Sequence, residues 1–488
     1  MREGKASPFA RLGGALAEGH VVAFLGILWC LWLGAIAMGE KVPVNGGLGW
    51  DGSRFAKMTQ AGPSMLIAKE INRYYVQRVG PSFAVRGLLG VIGAPLDDAT
   101  VRAGFIALNT ILLSLALVLL MDAGSRLGLG AAGRWILFIG LFANMANGRL
   151  PIYYAPIGDA TAFFLGSLMV WAHVARRFNA LVAAFMMAVV SWPAAFLLLP
   201  LLVWPRPPAG LAASLTPREE RRSAGARLYV AAIPLGALVF SLLWLAVDMP
   251  GFAALTGEMA LSLSVNAIYL GLAATLAGAV AWSDRPRVMA PPALRGVVAA
   301  IVLLGLSLGY VRAFESGSLA FGGQTYFREI ILFARTRVLS APAGYAAYYG
   351  ALAIAALALW PQILRAALRL GTGAFLAVAI SGLLSLDAES RRLNSNWALV
   401  GLLAALVVER VCADRAAVWS FAAAALSVSK LWWPLAGPDL FAAAHDPGNY
   451  FNTQGPSMSL EAFFAHLIAI ALMGGWMLRI SRRHRSSL

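Results

Sequence analysis

The first place where this sequence could do chemistry is Gly46-Gly47-Leu48-Gly49-Trp50-Asp51-Gly52-Ser53-Arg54-Phe55, directly after an apolar run. Glycines there allow tight turns and close approach of a ligand to the backbone. Asp51 is thereby presented beside an aromatic ring. A carboxylate in that setting can take the proton of a hydroxyl nucleophile, which is general-base work. A simple turn built on the Asp-Gly pair is the structural alternative. Lys57, Lys69, Arg73, Arg78, Arg86 and Arg102 follow, and Arg73-Tyr74-Tyr75-Val76-Gln77-Arg78-Val79-Gly80-Pro81 sets two arginines five apart with aromatics between. Arginine suits bidentate binding of phosphate, so a lipid phosphate or pyrophosphate would account for them. An amphipathic helix lying among lipid headgroups would account for them equally well.

Two more acidic or basic positions stand out. Asp159 closes Gly148-Arg149-Leu150-Pro151-Ile152-Tyr153-Tyr154-Ala155-Pro156-Ile157-Gly158-Asp159 and opens an apolar run. It could cap that helix or bind substrate where a cavity meets the bilayer. Asp387-Ala388-Glu389-Ser390-Arg391-Arg392-Leu393-Asn394 puts two arginines between apolar runs, costly if they face lipid and useful if they bind an anion. A late stretch holding Lys430, Trp432, Trp433, Asp439, His445, Asp446, Tyr450, Asn452 and Gln454 suits a sugar, although tryptophan is ordinary at a membrane interface. His445-Asp446 is too sparse for a metal site, and His173 and His466 lie inside apolar runs as packed residues. No Gly-Lys-Ser/Thr phosphate loop, His-Glu-x-x-His, Gly-x-Ser-x-Gly or cysteine cluster occurs, which argues against an ATP-driven pump and a zinc protease.

The elements that must position these residues are membrane helices. The chain has 488 residues, 60% hydrophobic and only 13% charged, with a mean hydropathy of +0.72. Soluble domains run nearer half apolar and a quarter charged, so this composition implies a polytopic membrane protein. The net charge of +16 does not point to nucleic acid, because the basic residues punctuate apolar runs as the positive-inside rule expects. Cys30 and Cys412 fall on different helices and imply no disulfide framework. With about 20 apolar residues per crossing, spans are expected near 21–38, 104–121, 134–147, 160–175, 228–247, 259–282, 296–312, 345–363, 373–386, 397–409, 416–431 and 460–478. The stretch 180–204 is cut by Ser191-Trp192-Pro193 and closed by Pro200, and proline breaks a helix. It is expected to form two half-spans. The expected fold is thus an all-α integral membrane bundle of about twelve spans plus a broken half-helix pair.

Placing the N-terminus inside puts the excess of Lys and Arg on the cytoplasmic side, with both termini there. The expected organisation is a cytoplasmic tail 1–19, an N-terminal module 20–247 whose first outer loop is 39–103, C-terminal helices 248–478 with outer loops 313–344 and 432–459, and a basic cytoplasmic tail 479–488. Further outer loops are expected at 148–159, 248–258 and 387–396. Polar material gathered in outer loops points to chemistry on the outer face.

Taken together, the pieces resemble the GT-C superfamily of multispanning glycosyltransferases, most of all its bacterial members related to the mannosyltransferases of glycolipid-anchor assembly. That group carries Trp-Asp-Gly followed by an aromatic in its first outer loop, matched here by Trp50-Asp51-Gly52 with Phe55. It continues with an Arg-Tyr-x-x-x-Arg-x-x-x-Pro-like segment, matched loosely by Arg73-Tyr74 with Arg78 and Pro81. An acidic residue opening the fourth span would be Asp159, and the broken pair would be the segment around Ser191-Trp192-Pro193. The likeness covers about the first 205 residues; beyond them only a run of helices corresponds. Arg54, Lys57 and Gln60-Ala61-Gly62-Pro63 depart from the pattern, as does the lack of a charged residue at the tip of the broken pair.

The resemblance implies a polyprenyl-phosphate sugar donor, a glycan, lipid or protein acceptor, and transfer on the non-cytoplasmic face of a bacterial inner membrane. Asp51 would be the general base. Arg54, Lys57, Arg73, Tyr74, Arg78, Asp159, Arg391 and Arg392 would hold substrate or lipid phosphate. No cofactor is implied, and a divalent metal is not indicated. Two rivals remain from the residues themselves: an O-antigen ligase or polymerase type using a lipid pyrophosphate, and a lipid or sugar transporter with its site on a broken helix.

Overall fold

The computed structural model describes residues 19–39, 41–42, 44–206, 257–283, 291–316, 339–385, 390–412, 415–432, 435 and 458–486. The expected span 228–247 and most of the expected outer loops 248–258, 313–344 and 432–459 lie outside them. Among the described residues the protein is all-helical, without a strand. Among the described residues four helices are long and apolar enough to cross a membrane: Gly19–Ala37, Asp98–Arg126, Leu294–Phe314 and Leu460–Arg482. Their length meets the bilayer requirement. Leu294–Phe314 exposes Val298, Ile301, Val302, Leu304, Leu306 and Leu308, an apolar face that suits contact with lipid. Shorter apolar helices fill the space between these four.

Two further helices form the centre. Asp159–Val174 and Asn394–Val411 are mostly apolar and buried on almost every face, as a helix enclosed by others must be. Gly166 makes their close approach possible: a Cβ there would lie 1.9 Å from the carbonyl oxygen of Ser395. Their N-termini adjoin, because the Asn394 side-chain amide donates to the Asp159 carbonyl at 2.7 Å. Two positive helix ends therefore meet at one end of the bundle.

Several expectations are corrected. The 345–363 stretch is not one straight span: Ser340–Tyr349 and Ala351–Ala358 lead to Trp360–Leu370, which turns by 88° from the helix before it. Pro361 begins the new helix, as proline does at a first turn. That helix buries Ile363, Leu364, Ala367 and Leu368 while Arg365 and Arg369 stay exposed, which suits a helix lying along a membrane surface. The expected outer loop 148–159 is not a solvent loop. Every residue from Ala143 to Ser167 is buried, and side chains satisfy its irregular backbone. Asn109 donates to the carbonyls of Pro151 and Ala155, Arg102 to Ile152, Trp32 to Asn147, and Arg149 (itself in this segment) to Leu431. Irregular backbone inside a bundle persists only when so satisfied. The last helix runs unbroken through Ser486, so the expected basic tail begins as its continuation.

The break at Ser191-Trp192-Pro193 is present. Helix Phe178–Val189 ends there, and a tighter 3-10 turn, Pro193–Leu198, precedes the short helix Pro200–Val203. The stretch expected as the first outer loop is helical over Trp50–Ala61, Ser64–Ile67, Arg73–Val76 and Val79–Val91. It does not simply float in headgroups. Leu48, Phe55, Met58, Val76, Val85 and Leu89 pack with Val101 and Phe105 into a small core of their own, seated on the first turns of Asp98–Arg126.

Candidate active site

Asp51 sits in the first turn of helix Trp50–Ala61, where a carboxylate is favoured by the helix dipole. The turn before it is bought with glycine: Gly46, Gly47 and Gly49 all have positive φ. Gly49, at φ 75° and ψ −167°, occupies a region open to almost no other residue. A Cβ on Gly49 would lie 2.3 Å from the Tyr154 ring. That close approach lets the Tyr154 hydroxyl accept the Asp51 backbone N–H at 2.9 Å.

Two consecutive tyrosines hold the carboxylate. Asn72 caps the short helix Arg73–Val76 by accepting the Tyr75 amide, and the turn splays the Tyr74 and Tyr75 rings nearly perpendicular, 82° apart at 4.9 Å. The Tyr75 hydroxyl donates to Asp51 Oδ1 at 2.9 Å, and that of Tyr74 to Oδ2 at 3.3 Å. Tyr75 also packs edge-on against Phe55. Arg391 arrives from the other half of the chain, its guanidinium 3.9 Å from Asp51 Oδ2. Burial first, then the field and hydrogen bond of Asp51, push the Tyr75 phenol well above its ordinary value. Burial and then Asp51 push Tyr154 up to about 12, with Arg391 pulling the other way. Both phenols therefore remain protonated throughout the physiological range. The Asp51 side chain keeps 31% of its surface exposed, so a ligand can reach it.

The other expected residues divide. Arg78 stacks its guanidinium 3.7 Å over the Tyr74 ring, one phenol away from Asp51. Arg54 is exposed and lies 5.3 Å from the centre of the Tyr75 ring. Arg392 is half-buried on the same turn as Arg391. Lys57 is exposed two turns along the Asp51 helix and is not brought to the carboxylate. Arg73 is half-buried with no side-chain partner among the described residues. Asp159 is buried at 2% exposure and accepts the Tyr348 hydroxyl on Oδ1 at 3.2 Å. It belongs to a polar layer beneath the site, in which Tyr349 donates to Asn394, rather than to the exposed mouth. Arg86 and Arg102, grouped with the anion-binding candidates by sequence, are spent on backbone: Arg86 donates to the carbonyls of Thr59 and Gln60, closing the helix that carries Asp51, and Arg102 to Ile152.

Tyr75, Tyr154 and Trp192 are the functional neighbours that sequence reasoning did not select. Tyr75 adjoins the chosen Tyr74 and had no distinguishing signal. Tyr154 lies 103 positions from its partner. Among the described residues no three His, Cys, Asp or Glu side chains gather as metal ligands. Beside this end of the bundle runs an apolar groove lined by Leu272, Leu276, Ala353, Trp360, Leu393 and Trp397 among others. Leu393 follows Arg391 and Arg392 directly in the chain, and Trp397 lies one helical turn further on. The chain matches no family model, no curated protein and no solved structure.

Proposed function

We propose that this protein is a membrane glycosyltransferase of GT-C type, moving a sugar from a polyprenyl-phosphate donor to an acceptor hydroxyl on the non-cytoplasmic face. One observation carries the reading. A carboxylate reachable by ligand is held by two phenols and faces an arginine from the far half of the chain, and Leu393, two residues after that arginine, lines an apolar groove. An anionic head and a long apolar tail on one substrate fit that pairing of arginine and groove.

In this reading Asp51 accepts the proton of the acceptor hydroxyl as its oxygen attacks the anomeric carbon. The bond from that carbon to the phosphate oxygen breaks, and the leaving phosphate takes the electron pair. Arg391 and Arg78 stabilise the charge that grows on it, the kind of preorganised electrostatic help that dominates many enzymes. Tyr74 and Tyr75 fix the carboxylate, and Tyr154 fixes its backbone, so that the base is in place before the substrate arrives. The neighbouring positive ends of Asp159–Val174 and Asn394–Val411 add to the potential that draws an anion. Glycan, lipid and protein hydroxyls all meet the chemical requirement for the acceptor.

The test is transfer of radiolabelled sugar from a panel of polyprenyl-phosphate sugars by the protein in lipid nanodiscs. Asp51→Asn keeps the size and one acceptor of the carboxylate, so its melting point should stay close to wild type. Its transfer should fall by about 10²–10⁴, the usual worth of a general base. Undiminished transfer by a folded Asp51→Asn protein would contradict the mechanism.

A further inference from the structure

Arg78 is unlike Arg86, Arg102, Arg126 and Arg149. Arg86, Arg102 and Arg149 each donate to backbone carbonyls, and Arg126 pairs with Asp122 at 2.6 Å. Arg78 donates to nothing among the described residues. Its guanidinium lies against two rings, 3.7 Å from the centre of Tyr74 and 4.7 Å from that of Trp192. Stacking occupies the flat faces of a guanidinium and leaves its edge, where all five N–H donors lie. The Arg78 Nε is fully sheltered from solvent without a hydrogen-bond partner, and so is the indole Nε1 of Trp192, a residue only 4% exposed. A buried donor left unmet is costly, and two on touching side chains call for an acceptor.

The segment that presents Trp192 is built rather than loose. Ser191 and Trp192 both donate their amides to the Ala188 carbonyl, and the Gly80 amide donates to Val190 at 2.7 Å, pinning the helix break to the first turn of Val79–Val91. Gly158 has no side chain because a Cβ there would stand 3.2 Å from the benzo edge of the Trp192 ring. Arg78 is also the N-cap residue of Val79–Val91, so the positive end of that helix adds to its charge.

We propose that Arg78 and the Trp192 indole N–H together form a phosphate subsite, with the proline-broken segment as its wall. Resting on the function proposed above, its occupant is the phosphate of the lipid donor. The Tyr74 ring then serves two ends at once: its face carries the arginine that holds the leaving group, and its hydroxyl holds the base. Trp192 enters as a specificity determinant that asks for an oxyanion and not merely for negative charge.

The test measures binding directly, by calorimetry on the full chain in nanodiscs, with polyprenyl phosphate, the matching neutral polyprenol, and inorganic phosphate as probes. Wild type should bind polyprenyl phosphate well above the polyprenol. Trp192→Phe keeps the ring over Arg78 and removes only the N–H, so affinity for the phosphate lipid should fall about tenfold or more, the worth of a hydrogen bond to a charged group, with polyprenol binding unchanged. Arg78→Gln should lose more, and Arg78→Lys should not restore it, because an ammonium cannot offer the stacked edge. Competition by inorganic phosphate would show that the subsite recognises the phosphate alone; failure to compete would assign recognition to the phosphate with its lipid. Equal affinity of wild type, Trp192→Phe and Arg78→Gln for polyprenyl phosphate would overturn the subsite, as would no binding at all. A phosphate preference that these variants abolish, in a protein that transfers no sugar, would leave the subsite standing and sink the transferase reading alone.

Discussion

Gly49→Ala is the substitution whose effect the structure determines most sharply. Its backbone, at φ 75° and ψ −167°, lies where a residue with a Cβ is strained by about 1–3 kcal/mol. The new methyl would also stand 2.3 Å from one Tyr154 ring carbon and 2.5 Å from the next. Tyr154 is buried at 3% exposure and has no room to swing away, so overpacking adds about 1–3 kcal/mol. The total is about 2–6 kcal/mol, and relief by moving the ring would break the hydrogen bond to the Asp51 amide. Gly46→Ala is the matched control. It too has a positive φ, 66° with ψ 14°, but nothing lies within 4 Å of its Cβ. It should cost only the left-handed penalty of about 1–2 kcal/mol. Thermal melts of both variants in the same detergent should place Gly49→Ala clearly below Gly46→Ala, and Gly49→Ala should also transfer less sugar. Equal melting points would refute the claim that Tyr154 and Gly49 are locked together.

Two further outcomes follow from the same geometry. The Tyr154 phenol titrates near 10 when unfolded and near 12 when folded, so its stabilising contribution is complete below pH 10 and is lost as pH rises towards 12, by at most about 1.4 kcal/mol per pH unit. Melts across pH 9–12 should therefore show the gap between wild type and Tyr154→Phe narrowing above pH 10, and a constant gap would contradict this. Arg86→Gln frees the Thr59 and Gln60 carbonyls and should destabilise by about 1–3 kcal/mol while calorimetric binding of polyprenyl phosphate stays at the wild-type value; a loss of binding would place Arg86 in the site after all.

What could be read from the sequence followed from local physics. Apolar length located helices such as Gly19–Ala37 and Leu294–Phe314 to within a few residues, because that property is carried by each segment alone. Pro193 announced the broken helix for the same reason. The bend before Pro361 was missed because the apolar run continues across it, and only the switch to an amphipathic pattern with Arg365 and Arg369 marks the turn. The stretch 148–159 read as a loop because its polarity is that of a loop. Its burial depends on donors from Asn109, Arg102 and Trp32, tens of residues or more away. Within the site, Asp51, Tyr74 and Arg391 were legible by residue type and do converge. Nothing local separated Arg78, whose Nε has no partner among the described residues, from Arg86 and Arg102, which donate to carbonyls: an arginine's role is set by what folds around it.

The central claim is that Asp51 opens to the outer face while both chain ends face the cytoplasm. The direct measurement is thiol labelling of Asp51→Cys in intact cells, with Cys30 and Cys412 replaced by alanine and a membrane-impermeant maleimide as reagent. The account predicts labelling of residue 51 without permeabilisation, and slower labelling when polyprenyl phosphate is supplied. Labelling only after the membrane is opened, alongside a cysteine placed in the N-terminal tail, would contradict it.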